Sequence, residues 1–144
     1  MKILVPVDGS KQSMEGVKVA ADYAKTKKAK IYLINVVSFI PGMDLEISAH
    51  RMNELVEKMK RAGEAVLEKA SSQLKTDGIT AETILSTAAN AAEEIISVAE
   101  KEKVELVIIG SRGLTGAARF MLGSTASKVV RHCLCSVYVV KTVF

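Results

Sequence analysis

Two kinds of hydrophobic spacing alternate along this chain, and the alternation restricts it to few folds. Short apolar runs, most of them rich in β-branched residues, predict five strands at 2–7, 30–38, 80–85, 105–109 and 136–140. Apolar residues three and four positions apart predict a helix in each segment between two strands. The order β-α-β-α-β-α-β-α-β predicts an α/β fold, an open five-stranded parallel sheet with helices on both faces.

The predicted helices lie at about 14–24, 52–74, 91–103 and 124–132. Ser10 or Ser13 is the candidate cap of the first helix, and the turn at 77–78 (Asp-Gly) ends the second. The run at 80–85 is more polar than the other strands, which predicts a position at an edge of the sheet. Segment 39–51 is less regular, and we expect a mobile loop that faces a partner.

Length and composition predict one soluble domain that spans residues 1–144. Apolar residues make up 49% of the chain and charged residues 25%, as in ordinary globular proteins. With no Trp, three Tyr and three Phe, an aromatic surface for stacking nucleic-acid bases is not expected. Asp8 interrupts the apolar run at the start, which is too short for a signal peptide or a membrane span. We therefore expect a cytoplasmic protein without a membrane partner.

Charge is unevenly distributed along the chain. The net charge is +4, and no acidic residue follows Glu105. The positive side chains of that last part are Arg112, Arg119, Lys128, Arg131 and Lys141. The positive electrostatic potential of these side chains attracts anions. A basic face that is only exposed to solvent would show the same sequence pattern.

The two cysteines, Cys133 and Cys135, are separated by one residue. This spacing does not suit the disulfide framework of a secreted protein. A metal site would need more ligands than these thiols and His132. The sequence therefore favours structural thiols.

The stretch from Gly110 to Thr125 carries the chemistry, because it leaves a buried strand and opens a helix. Its glycines allow backbone N–H groups to approach a phosphate closely. Ser124 and Thr125 lie at the helix start, where unpaired N–H groups and the helix dipole favour an anion. Alternatively, Gly110 only ends the strand and Ser124 only caps the helix.

The same stretch lacks the motifs of the best-known nucleotide loops. It has no Gly-x-x-x-x-Gly-Lys-Ser/Thr and no Gly-x-Gly-x-x-Gly. Neither His50 nor His132 belongs to a catalytic motif. The sequence thus favours holding a nucleotide over hydrolysing it rapidly.

The spacing Gly110-x2-Gly113-x9-Gly123-Ser resembles the ATP-binding signature of the universal stress protein family. Segments 3–10, 35–37, 106–113 and 136–140 resemble successive strands and turns of that family, so that the similarity covers essentially the whole chain. Three family features are replaced here: Ala89-Asn90-Ala91 stands where a Gly-x-Pro turn is frequent, Glu105 where an Asp is common and Ser136 where a Pro is usual.

The resemblance implies a Rossmann-like fold of the adenine nucleotide α-hydrolase type, and a site for ATP with Mg. The implied binding residues are Pro6, Val7, Asp8, Val36, Ile109, Gly110, Arg112, Gly113, Gly123, Ser124 and Thr125. It assigns no catalytic residue and no metal ligand. Asp8 is a chemically sensible acceptor for ribose hydroxyls, or it only caps the first helical region.

The resemblance also implies a homodimer through the last strand, at Val137, Tyr138, Val139 and Val140. An apolar edge strand is stabilised when a second copy covers it. The expected function is an ATP-binding stress-response module with little or slow hydrolysis. A slow ATPase on the same site, or an interaction dimer that binds no nucleotide, are the alternatives.

Overall fold

The computed structural model describes residues 1–39, 48–112 and 121–141. Gly113, Arg119 and most of the predicted loop at 39–51 lie outside these ranges.

One parallel sheet, in the order β3-β2-β1-β4-β5, organises the described chain. The elements follow the predicted order: β1 (Lys2–Pro6), α1 (Lys11–Thr26), β2 (Lys30–Ser38), α2 (Ala49–Thr76), β3 (Ala81–Ala88), α3 (Ala91–Lys101), β4 (Leu106–Gly110), α4 (Ser124–His132) and β5 (Ser136–Val140). The predicted α/β class and the edge position of the third strand are confirmed. β3 continues three residues beyond the predicted end, because it stays paired with β2 as far as Ser38 and Ala88.

Apolar layers cover both faces of the sheet, because successive strand residues point to opposite sides. Ile3 and Val5 of β1 belong to one buried cluster, together with residues of α1 and α2. Leu4 of β1 belongs to the other, together with residues of α3 and α4. Central strands buried on both sides explain the continuous apolar runs in the sequence.

The strand order reverses beside β1. From β1 the chain moves outward to β2 and β3, and it returns to the other side of β1 with β4 and β5. The carboxyl ends of β1 and β4 therefore meet at the switch point, where open α/β sheets bind ligands. No helix in the three described ranges is long and apolar enough to cross a membrane.

Side chains cap the first three helices. Ser10, rather than Ser13, is the cap of α1, and its hydroxyl accepts a hydrogen bond from the Ser13 N–H at 3.2 Å. Ser48 caps α2 in the same way. Asn90 caps α3 by accepting from the Glu93 N–H at 3.0 Å, which explains how this chain starts the helix without a Gly-x-Pro turn.

A glycine in α2 lets the helix approach the sheet closely. A Cβ at the buried Gly63 would lie 2.5 Å from Asn35 Oδ1 and 2.9 Å from Leu85 Cδ1. The amide of Asn35 donates from Nδ2 to the Val7 carbonyl at 2.8 Å, just beyond the end of β1. The packing of α2 therefore fixes a side chain that in turn supports the carboxyl end of β1.

We predict that Gly63→Ala lowers the free energy of unfolding by about 1–3 kcal/mol, because the methyl group overpacks this contact. Gly16→Ala is the matched control in α1. A Cβ at Gly16 meets its nearest atom, Ile108 Cγ2, at an ordinary 3.6 Å. Since Ala favours a helix more than Gly does, the control keeps or raises stability. Urea denaturation of both variants measures the difference, and equal midpoints would contradict the prediction.

Candidate functional site

A cleft of about 400 Å³ opens at the switch point of the sheet. Every predicted binding residue that the structure describes lines it: Pro6, Val7, Asp8, Val36, Ile109, Gly110, Arg112, Gly123, Ser124 and Thr125. Gly113, the remaining predicted residue, lies outside the described ranges. The volume lies in the range of small-molecule sites in proteins.

Part of the cleft lining is apolar. Val7 directly follows β1, Ile109 is the last but one residue of β4, and both are buried. Val36 contributes from β2. Ile95 and Ala91, on the first turns of α3, complete this wall. Sequence reasoning did not assign these two residues to the site, although both fall within the helix predicted at 91–103. Such a wall suits a flat, weakly polar group such as a nucleobase.

The start of α4 also lines the cleft, and its cap differs from those of the other helices. Gly123 occupies the cap position and offers no side chain to the first N–H groups. No acidic residue lies in the first turn either. Of the four helices in the described ranges, α4 alone lacks a side-chain cap. Its first N–H groups, with the positive end of the helix dipole, therefore border the cleft and favour an anion.

Gly123 is needed here because of a close approach. A Cβ at this position would lie 3.1 Å from the Ser111 carbonyl oxygen, to which the Gly123 N–H donates at 2.7 Å. Its φ of −57° is accessible to any residue. The contact between Ser111 and Gly123 joins the described start and end of the connection between β4 and α4.

Gln12 of α1 fixes the start of the same connection. Its Oε1 accepts a hydrogen bond from the backbone N–H of Arg112 at 2.7 Å, and the side chain is buried. A Cβ at Gly110 would lie 3.0 Å from Gln12 Cβ, so that glycine permits the close packing. Sequence reasoning missed Gln12. The available signal was its spacing: it precedes Gly16 by four residues and so lies on the buried stripe of α1.

Asp8 has a local role at the mouth of the cleft. Its Oδ1 accepts a hydrogen bond from the Ser10 N–H at 2.9 Å, within the turn that precedes α1. No residue in the described part of the chain donates to Oδ2. One carboxylate oxygen thus holds the turn, and the other is available as an acceptor in the cleft.

Few of the described cleft residues have a side chain that could act as an acid or a base. Among its described lining residues, Asp8 is the one carboxylate, and there is no histidine. Within the described ranges no three His, Cys, Asp or Glu side chains are grouped so that they could hold a metal ion. The described lining thus combines backbone donors and apolar side chains.

Residues 1–141 match the model of the Universal stress protein family. The chain belongs to the universal stress protein family. Among its relatives, the universal stress protein MJ0531 of Methanocaldococcus jannaschii is 37% identical over 142 residues, which is 97% of this chain and 81% of the relative.

Solved structures agree with the universal stress protein fold. The structure of the protein MJ0577 is 28% identical with a TM-score of 0.84, covering 99% of this chain and 96% of that one. A family member from Arabidopsis thaliana with AMP bound shares 19% identity and a TM-score of 0.73, over 99% and 92% of the two chains. The Archaeoglobus fulgidus protein in complex with dAMP shares 22% identity and a TM-score of 0.67, over 98% of each. The last two likenesses establish the common fold.

Proposed function

We propose that this universal stress protein binds ATP in the cleft and acts in the cytoplasm as a homodimeric stress-response module, with little or slow hydrolysis. The observation that carries the proposal is the uncapped N-terminus of α4, which lines the same cleft as a group of apolar side chains. The helix start thus offers donors to phosphate, and the apolar side chains offer a surface for a base. The family members that hold AMP and dAMP support an adenine nucleotide as the ligand.

The residues of the cleft divide into three roles in this proposal. The base packs on Val7, Val36 and Ile109. Asp8 accepts hydrogen bonds from ribose hydroxyls. The phosphates lie against the backbone and hydroxyl groups of Gly110, Gly123, Ser124 and Thr125, with Arg112 and Gly113 assigned to the same end.

A magnesium ion would fit this site chiefly as a companion of the triphosphate. Mg²⁺ usually keeps several waters and uses one or two carboxylates together with substrate phosphates. Asp8 and the hydroxyls of Ser124 and Thr125 are the cleft residues whose oxygens suit it. The ion would neutralise phosphate charge, and its affinity would depend on bound nucleotide.

The absence of an acid–base pair among the described lining residues favours retention of ATP over rapid turnover. A slow ATPase remains the second candidate function. The observation in its favour is that the free N–H donors and the dipole at the start of α4 also suit the negative charge of a phosphoryl transition state.

Nucleotide content and affinity test the proposal directly. We expect purified protein to release an adenine nucleotide on extraction, and nucleotide-stripped protein to bind Mg-ATP in calorimetric titration. Gly123→Val should weaken binding at least about tenfold, or about 1.4 kcal/mol, because the side chain enters the gap beside Ser111. Ala65→Val, on an exposed face of α2, is the matched control and should bind like the wild type.

The outcomes separate the candidate functions. Absence of both bound nucleotide and heat in the wild type would overturn the proposal and favour an interaction dimer that binds no nucleotide. Steady phosphate release that Gly123→Val abolishes would favour the slow ATPase.

Asp8→Asn separates the two roles of Asp8. The Asn oxygen still accepts from the Ser10 N–H, so the turn and the stability of the fold are kept, whereas the remaining amide group cannot accept from ribose. We therefore predict at least about fivefold weaker ATP binding, near 1 kcal/mol for one lost hydrogen bond, with an unchanged melting temperature. Wild-type affinity in Asp8→Asn would show that Asp8 only holds the turn.

The dimer part of the proposal rests on β5. This strand is an edge of the described sheet, and Tyr138 on it is 42% exposed. Leu134 and Val130 nearby in sequence are exposed as well, at 86% and 44%. A second copy that pairs with Val137, Tyr138, Val139 and Val140 would cover the edge and its apolar surroundings.

We predict that Tyr138→Lys converts the dimer to a monomer in light scattering, because it places a desolvated charge in the pairing edge. Thr83→Lys is the matched control on β3, the other edge strand, where Thr83 is exposed. Circular dichroism checks that both variants fold, since Tyr138 also contacts the Tyr23 ring. A monomeric wild type, or equal dissociation of both variants, would contradict the assignment of β5.

A further inference from the structure

The two cysteines lie at the end of the sheet opposite the cleft. Cys133 terminates α4, and Cys135 immediately precedes β5, whose first residue pairs with the first residue of β4. Their Sγ atoms are 3.3 Å apart and share a hydrogen bond. No other cysteine occurs in the sequence. The fold has therefore placed both thiols of the chain in contact.

Their surroundings are partly apolar and partly open. Both side chains are half-buried and pack against the cluster that contains Leu4 and Val107. Between them, Leu134 is 86% exposed, at a bend that belongs to neither α4 nor β5. A small oxidant can reach such thiols. The Cys133 N–H donates to the Val129 carbonyl at the end of α4, whereas Leu134 and Cys135 belong to neither a helix nor a strand.

We propose that Cys133 and Cys135 form a reversible redox site that a hydroperoxide converts to an intrachain disulfide. The sulfurs must approach from 3.3 Å to about 2.05 Å, the length of the bond. Rotation about side-chain bonds and adjustment at the bend around Leu134 supply this movement. The site is independent of the proposed nucleotide binding, since neither cysteine lines the cleft.

The chemistry balances with hydrogen peroxide as the oxidant. The thiolate of one cysteine attacks one peroxide oxygen, the O–O bond breaks, and the other oxygen leaves as water after taking up a proton. The resulting sulfenic acid is attacked by the sulfur of the other cysteine. The S–S bond forms, the S–O bond breaks, and a second water leaves with the proton of the second thiol. Two thiols are oxidised by two electrons, and one peroxide is reduced to two waters.

The surroundings of the thiols affect their ionisation. Burial, together with the hydrogen bond to Cys133, raises the pKa of Cys135 to about 11. Because the thiolate is the reactive form, this shift slows the oxidation of the pair at neutral pH. A disulfide that closes so small a loop gains little from loop entropy and belongs to the class that thiols reduce readily.

The experiment uses the full chain, fully reduced and then freed of reductant. It is treated with equimolar hydrogen peroxide, alkylated and weighed intact. We expect both thiols to be lost together, a mass lower by two hydrogens before alkylation, a monomeric chain on non-reducing gels, and full recovery with dithiothreitol. The rate should rise with pH, because the thiolate is the nucleophile.

Cys133→Ser and Cys135→Ser are the paired variants. We expect each variant to accumulate a sulfenic acid that dimedone traps on its remaining cysteine, because the thiol that would resolve it is absent. Addition of two or three oxygens to the wild type in place of hydrogen loss would overturn the proposal. So would covalent dimers of the wild type as the main product, or dimedone trapping in the wild type equal to that in both variants.

Discussion

The parallel pairing of β1 with β4 is the contact on which the rest of this structure depends. Ile3 lies opposite Leu106 and Leu4 opposite Val107, although about a hundred residues separate them along the chain. The pairing reverses the strand order and leaves the carboxyl ends of both strands side by side. The turn after β1 and the described ends of the connection after β4 thereby line one cleft.

The helices around the cleft differ in whether a side chain caps their first N–H groups. Side chains cap α1, α2 and α3, whereas α4 begins at a glycine and keeps its donors for the cleft. Gln12 adds a buried carbonyl that orients the backbone of Arg112. Backbone groups held in place thus contribute to the polar character of the described lining, together with the side chains of Asp8 and Arg112.

The two ends of this parallel sheet carry different chemical groups. The carboxyl ends of the strands carry the cleft, and the amino ends near β5 carry the contact between Cys133 and Cys135. α4 runs from one end to the other, with Gly123 at the cleft and Cys133 at its last turn. A single short helix therefore connects the proposed nucleotide site, the proposed redox site and the edge strand proposed for the dimer.

The sequence by itself determined the order of elements and the fold class, because hydrophobic period is a local property. The glycine spacing and its family resemblance also predicted binding residues, and those that the structure describes all line the cleft. The sequence also indicated the edge position of β3 through its polarity. Only the tertiary structure decided that Ser10 rather than Ser13 caps α1, and that Gln12 and Ile95 belong to the site. The same holds for the thiol contact, since two residues one position apart need not have touching side chains. These features depend on distances between elements remote in sequence or on side-chain directions, which a local pattern does not contain.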